Sequence, residues 1–172
     1  MKKFLVILLM ALALTSCGGS DLSSVLTRIS KNQATDAKLF EKAMDSITAA
    51  YNGGGFEDAL VQFETAIYAV DYDVIELTKI GKEYAAATKN AEARALVDQG
   101  IQTLLAVNAA RRAWLVDVQK AIAKDDADIV REAVTRNDAK IVSLPAEIAQ
   151  AHAYFSQAKE IEGLSSKLTE FQ

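Results

Sequence analysis

Residues 56–88 read FEDALVQFETAIYAVDYDVIELTKIGKEYAAAT. This stretch has the strongest periodicity in the chain, with apolar or small residues every three or four positions at Phe56, Leu60, Phe63, Ile67, Val70, Val74, Leu77, Gly81 and Tyr84. Because an α-helix has about 3.6 residues per turn, this spacing gathers these side chains on one face. The stretch therefore predicts a long amphipathic helix from about Phe56 to Thr88.

Similar patterns on either side predict further helices. Helix 1 is expected from about Leu22 to Tyr51, helix 3 from about Ala91 to Lys124, and helix 4 from about Ala127 onward. Pro145 is the only proline, and its ring removes a backbone hydrogen bond and collides with the carbonyl four residues earlier. Helix 4 should therefore break or kink there, with a further helical piece after it.

The breaks between these helices are short and carry helix-capping residues. Asp21, Asn90 and the pair Asp125-Asp126 stand where N-caps are expected, and the run Asn52-Gly53-Gly54-Gly55 ends helix 1. Two- or three-residue breaks between long helices predict antiparallel hairpins. We expect an all-α fold, an elongated up-down antiparallel bundle of about four helices with the last kinked at Pro145. A heptad interpretation would instead give a coiled-coil oligomer, and a solenoid is a weaker alternative because no repeated motif is found.

The amino-terminal residues form a different kind of segment. Lys2 and Lys3 precede an apolar run of 11 residues, 4–14, which is too short for a membrane-spanning helix of about 20 residues. The only cysteine, Cys17, follows the small polar pair Thr15-Ser16. This order is typical of a secretory signal peptide.

The run Leu14-Thr15-Ser16-Cys17 resembles the lipobox of bacterial membrane lipoproteins. The resemblance implies cleavage before Cys17 and acylation of Cys17, which would hold the protein in a cell envelope membrane. Gly18 follows the cysteine where an inner-membrane retention signal would have Asp, so the outer membrane is implied if the source has two membranes. We expect a cleaved signal peptide at 1–16, a lipidated, flexible tether at 17–21, and a single helical domain at 22–172.

Composition excludes several classes of function. The net charge is −4 and becomes about −6 without the two signal lysines, so a nucleic-acid partner is not expected. One histidine, His152, and one cysteine are too few for a zinc site or a catalytic relay, and no Glu-x-x-His pair exists for a di-metal bundle. We therefore expect no enzyme activity, no metal and no cofactor.

One polar group is expected inside the bundle. At about 100° per residue, Asn108 and Arg111 fall within the apolar arc of helix 3. Folding the hairpin about position 89.5 places Asn108 opposite Asp71, so that Asp71 or Glu64 should reach Arg111. This group is either a polar layer that fixes helix register or a site for an anionic ligand or partner.

Two functions remain open from the sequence. The first is a membrane-anchored, non-enzymatic protein-interaction module with a role in adhesion, envelope assembly, exclusion or immunity. The second is a small-ligand-binding bundle with its polar site around Arg111.

Overall fold

The computed structural model describes residues 21–136 and 138–169, and among them only helices and short turns occur. Cys17 and the signal segment lie outside the described residues. The five α-helices are α1 (Leu22–Ala49), α2 (Glu57–Ala87), α3 (Ala91–Ile122), α4 (Ala127–Arg136) and α5 (Asp138–Thr169), with a π-helical turn at Ala50–Gly54 after α1. The all-α prediction is confirmed for this part of the chain, and the helices pack against one another.

Helices α1, α3 and α4 each begin directly after a predicted N-cap residue. The carboxylates of Asp21 and Asp126 and the amide oxygen of Asn90 each accept hydrogen bonds from backbone N–H groups two or three residues later. In the turn after α1, Gly53 has a φ of 99°, a backbone conformation that costs glycine little because it has no Cβ. The three predicted N-caps and the glycine turn are therefore confirmed.

Two helices cover the C-terminal part of the chain that the structure describes, α4 up to Arg136 and α5 from Asp138. Pro145 lies inside α5, which continues beyond it. An interior proline costs about 3 kcal/mol, and the long packing surface of α5 against α3, with Leu144 buried, outweighs that local cost. A bend at Pro145 stays a prediction.

Neighbouring long helices run antiparallel. Helix α1 packs on α2, α2 on α3, and α3 on α5. Between α2 and α3, Asp71 contacts Arg112 and Asp73 contacts Asn108, so residue numbers rise in one helix as they fall in the other. Between α3 and α5, a Cβ at Gly100 would lie 2.4 Å from the Phe155 ring, so glycine permits the close approach of the two helices.

The apolar core consists of two clusters at different heights of the bundle. The first core cluster contains Phe63 of α2 and Trp114 of α3, whose rings lie 5.9 Å apart, together with Val130 of α4. The second core cluster contains Leu77 of α2 and Phe155 of α5. Among the described helices, none is both long enough and apolar enough to cross a bilayer.

Candidate functional site

Four polar side chains lie between the two core clusters, and we call them the polar layer: Asp36, Asp73, Asn108 and Arg111. Asp36, Asp73 and Asn108 are only 5%, 2% and 3% exposed, and Arg111 is half-buried. They come from three helices, α1, α2 and α3. Such deep burial of ionisable groups requires charged or hydrogen-bonded partners, because an unpaired buried charge is strongly unfavourable.

The heptad spacing of the helices places these residues inside. Asp36 lies seven residues after Ile29 and seven before Ala43, and all three are buried. The same series runs through Ala66, Asp73 and Ile80 in α2 and through Ile101, Asn108 and Leu115 in α3. Side chains seven residues apart share a helix face, so each polar residue occupies a core position of its helix.

Two carboxyl groups meet in the polar layer. The Nδ2 atom of Asn108 donates a hydrogen bond to Oδ2 of Asp73 at 2.7 Å. Oδ2 of Asp36 and Oδ1 of Asp73 are buried and accept no hydrogen bond from a donor among the described residues. Since an ionised carboxylate can only accept, a single proton between Asp36 and Asp73 would supply the donor that both oxygens lack.

The electrostatics agree with one shared proton. Burial raises the pKa of Asp36 to about 7, the negative charge of Asp73 adds to the rise, and Arg111 opposes it. Burial also raises the pKa of Asp73, while its hydrogen bond with Asn108 works against that rise. With Asp36 protonated and Asp73 ionised, the single negative charge balances the positive charge of Arg111.

The positive charge of Arg111 compensates the negative charge of Asp36 and Asp73 without a direct ion pair. Among the described residues, no carboxylate oxygen lies within 4 Å of its guanidinium nitrogens, and its electrostatic partners are Asp36 and Asp73. Burial lowers the pKa of Arg111, and the two carboxyl groups oppose that change. Arginine stays protonated in proteins, so the guanidinium supplies a fixed positive charge to the layer.

The structure brings together only part of the site expected from the sequence. Asn108 and Arg111 are in the polar layer, as expected. Asp71, however, forms a bidentate pair with Arg112, with Nε–Oδ1 and Nη2–Oδ2 distances of 2.5 and 3.2 Å. The side chains of this pair are 41% and 48% exposed. Glu64 is half-buried and accepts a hydrogen bond from the Tyr68 hydroxyl at 3.4 Å.

The observed partners differ from the expected ones because the hairpin of α2 and α3 is shifted in register. Asn108 contacts Asp73, two residues further along α2 than the expected Asp71. A shift of two residues rotates the facing position by about 200°, which turns Asp71 to the surface and Asp73 to the core. The expected pairing of Asp71 or Glu64 with Arg111 is therefore replaced by the Asp71–Arg112 pair and by the Asp36–Asp73 carboxyl pair.

A second ionic group ties α1 to α2. Arg28 of α1 donates to Glu83 at 2.6 Å and to Glu76 at 3.0 Å. Glu76 is buried, and Lys79 lies 3.9 Å from its other oxygen. The sequence analysis did not identify this group, although Glu76 and Glu83 are seven residues apart and so share one face of α2.

The outer face of α2 carries an exposed apolar row, which we call the α2 stripe: Val61, Tyr68 and Ile75. These side chains are 53%, 59% and 65% exposed, and they are also seven residues apart. Isolated exposed apolar residues are common, but an aligned row on one helix face is typical of a surface that packs against another helix.

Comparison of this chain with protein family models, with curated proteins and with solved structures finds no match. Within the described residues, no group of three or more His, Cys, Asp or Glu side chains is placed to hold a metal ion. A functional hypothesis must therefore rest on the polar layer, the α2 stripe and the amino-terminal sequence.

Proposed function

We propose that this protein is an envelope lipoprotein, anchored through acylated Cys17, that acts as a non-enzymatic protein-interaction module. The lipobox-like run before Cys17 supports the anchor, and Gly18 supports an outer-membrane location if the source has two membranes. In this proposal residues 1–16 are removed, 17–21 form the tether, and the helical domain after them, bent at Pro145, presents its surface to a protein partner. Adhesion, envelope assembly, exclusion and immunity all remain roles for such a module.

The observation that supports an interaction role most strongly is the α2 stripe. Its three large side chains are each more than half exposed, and they lie on a helix whose other face is fully packed in the core. Burying such side chains contributes about 1.5–3 kcal/mol each when burial is complete. A partner helix that covered the stripe would therefore gain a substantial part of its binding free energy from these three residues.

The anchor is tested by labelling cells with a fatty-acid analogue. Wild-type protein is expected to take up label and to pellet with membranes, whereas Cys17→Ser is expected to do neither. Equal labelling and equal pelleting of the two chains would contradict the proposed anchor.

The interaction role is tested by placing a photo-crosslinking amino acid, p-benzoylphenylalanine, at position 68 in growing cells. The matched control is position 142, since Val142 is 76% exposed but lies on α5, away from the stripe. We expect a discrete crosslinked protein from position 68 and none from position 142. Equal, diffuse labelling at both positions would contradict a specific interaction surface.

Ligand binding around Arg111 is the second candidate. One observation favours it, because Arg111 is half-buried and makes no direct ion pair among the described residues. The charges of Asp36 and Asp73, however, already balance the arginine, which favours a structural polar layer. Isothermal titration with inorganic phosphate decides between them: saturable binding that Arg111→Met abolishes would support an anion site.

A further inference from the structure

The outer face of α2 carries charges of opposite sign at its two ends. Successive side chains of a helix are rotated by about 100° around its axis. The α2 side chains that point within about 40° of the direction of the Tyr68 side chain include both these charges and the α2 stripe. In chain order they are Glu57, Val61, Glu64, Tyr68, Tyr72, Ile75, Lys79, Lys82 and Ala86. The face is therefore acidic in its first half, apolar in the middle and basic in its last half.

The charged residues at the two ends of this face form few ion pairs within the part of the chain that the structure describes. Glu57 and Lys82 take part in no ion pair among the described residues, and Lys79 reaches Glu76 only at 3.9 Å with its side chain 53% exposed. By contrast, Arg28 and Arg112 each contact a carboxylate at 2.6 Å or less. Charges left open at the two ends of an apolar stripe are available to a partner with the opposite arrangement.

We infer that the partner of the α2 stripe is a second copy of this chain, packed with its own α2 antiparallel to the first. This inference rests on the proposed interaction role and specifies the partner. A two-fold axis through Tyr68 places Val61 of each copy against Ile75 of the other, and Glu57 against Lys79. The surface is thus complementary to itself, as an isologous interface requires.

The charges decide the orientation. In a parallel pair, position 57 would face position 57 and position 79 would face position 79, so that acids would meet acids and lysines would meet lysines. Like charges in register disfavour association. An anionic membrane also does not suit this face of α2, because the membrane would repel its acidic half.

The orientation has a consequence for the anchors. Arg28, near the start of α1, contacts Glu83, near the end of α2, so the chain enters the bundle at the basic end of the face. In the antiparallel pair the two tethers leave from opposite ends. Two anchored copies therefore either lie along one membrane or join two facing membranes.

Charge reversal tests the pairing in the full-length protein, purified in mild detergent and followed by sedimentation over a range of protein concentrations. Glu57→Lys and Lys79→Glu should each weaken self-association about tenfold, because each places two like-charged pairs across the interface. The double variant should restore it, and an equimolar mixture of the two single variants should form mixed dimers.

Asp58→Lys is the matched control. It removes an acidic residue from the same first turn of α2, but its side chain points about 80° away from Tyr68. Association of Asp58→Lys should equal that of the wild type. A wild-type chain that is monomeric throughout the concentration range, or equal weakening by Asp58→Lys and Glu57→Lys, would overturn the inference.

Cysteine pairs test the orientation under mild oxidation. Tyr68→Cys should form a disulfide-linked dimer with itself, and Val61→Cys should link to Ile75→Cys in a mixture but not to itself. The unsubstituted chain controls for Cys17. Efficient self-linking of Val61→Cys would show a parallel pair and contradict the antiparallel arrangement.

The photo-crosslink at position 68 separates this inference from the proposed function. An adduct of two chains supports both. An adduct with a different protein overturns the second copy as the partner while the interaction role stands. No discrete adduct overturns both.

Discussion

Asp71 and Asp73 are two residues apart on α2, yet they occupy opposite environments. Asp71 pairs with Arg112 at the surface. Asp73 is buried in the polar layer, where its partners are Asn108, Asn32, the Asp36 carboxyl and the charge of Arg111. Water and salt screen the first group, and the second has only its fixed neighbours for compensation. The comparison shows that helix register, rather than residue type, decides how much a charged group contributes to the stability of this bundle.

The largest expected effect comes from breaking the polar layer. Asp73→Leu leaves the Asn108 amide without its buried acceptor and Arg111 without a nearby negative charge, so we expect a loss of about 3–5 kcal/mol in the free energy of unfolding. Urea unfolding measures it, and Asp71→Leu is the matched control on the same helix.

Replacing the whole layer sharpens this test. The variant with Asp36→Leu, Asp73→Leu, Asn108→Leu and Arg111→Met has no buried polar group left unpaired in the layer, and it should recover much of the loss caused by Asp73→Leu alone. A loss below about 1 kcal/mol for the single variant would mean that Asp73 is effectively solvated.

The next largest expected effect is a dependence of the free energy of unfolding on pH. A carboxyl whose pKa is higher in the folded state keeps its proton after the unfolded chain has lost it. As the pH rises from about 4, the free energy of unfolding should therefore fall, and it should level off above pH 7. For Asp36 the fall amounts to at most roughly 4 kcal/mol, since a full shift of one pKa unit corresponds to about 1.4 kcal/mol.

Asp36→Asn supplies the control for this pH dependence. Its amide can donate permanently to Asp73 without a titrating proton, so its stability should vary much less between pH 4 and 7. If the wild type and Asp36→Asn follow parallel curves, the pH dependence originates elsewhere.

Removing the ion pairs of Arg28 with Glu76 and Glu83 should have an intermediate effect on the free energy of unfolding. The Arg28 side chain is 21% exposed and bridges two acids, one of them buried. Arg28→Met should cost about 1–3 kcal/mol, because hydrogen bonds to charged groups contribute about that much. Thermal unfolding is a suitable measurement, and raising the salt concentration should reduce the difference only partly.

The smallest effect is expected for Arg112→Ala. An exposed ion pair contributes little to stability, and added salt should remove most of that contribution. A loss as large as that of Asp73→Leu would show that the surface pair and the polar layer are not distinct in the way described above.

Local sequence signals were sufficient for the helices and their ends. The 3.6-residue periodicity of 56–88, the N-caps at Asp21 and Asn90, and the glycine turn at 52–55 all depend on contacts within a few residues. At Pro145 the local signal was less informative, because the helix continues beyond the proline and the packing of α5 on α3 outweighs its local cost.

The polar layer depends on register between helices, which one sequence specifies poorly. Asn108 and Arg111 were found from the phase of a single helix. Asp36 was missed because partners for Arg111 were sought only across the hairpin of helices 2 and 3, and Asp73 was missed because that hairpin was folded two residues out of register. The seven-residue series Leu22, Ile29, Asp36, Ala43 and Ala50, all buried, was the signal that could have identified Asp36.

In the polar layer, Asp36 and Asp73 are proposed to share one buried proton. The most direct measurement is a carbon-13 NMR titration of the Asp36 carboxyl in the folded protein, with Asp36→Asn used to assign its resonance. We predict an apparent midpoint near pH 7, far above the usual value of about 4 for aspartate. Midpoints at or below pH 4 for both the Asp36 and the Asp73 carboxyl would contradict the shared proton, because both groups would then be ionised in the folded protein at neutral pH.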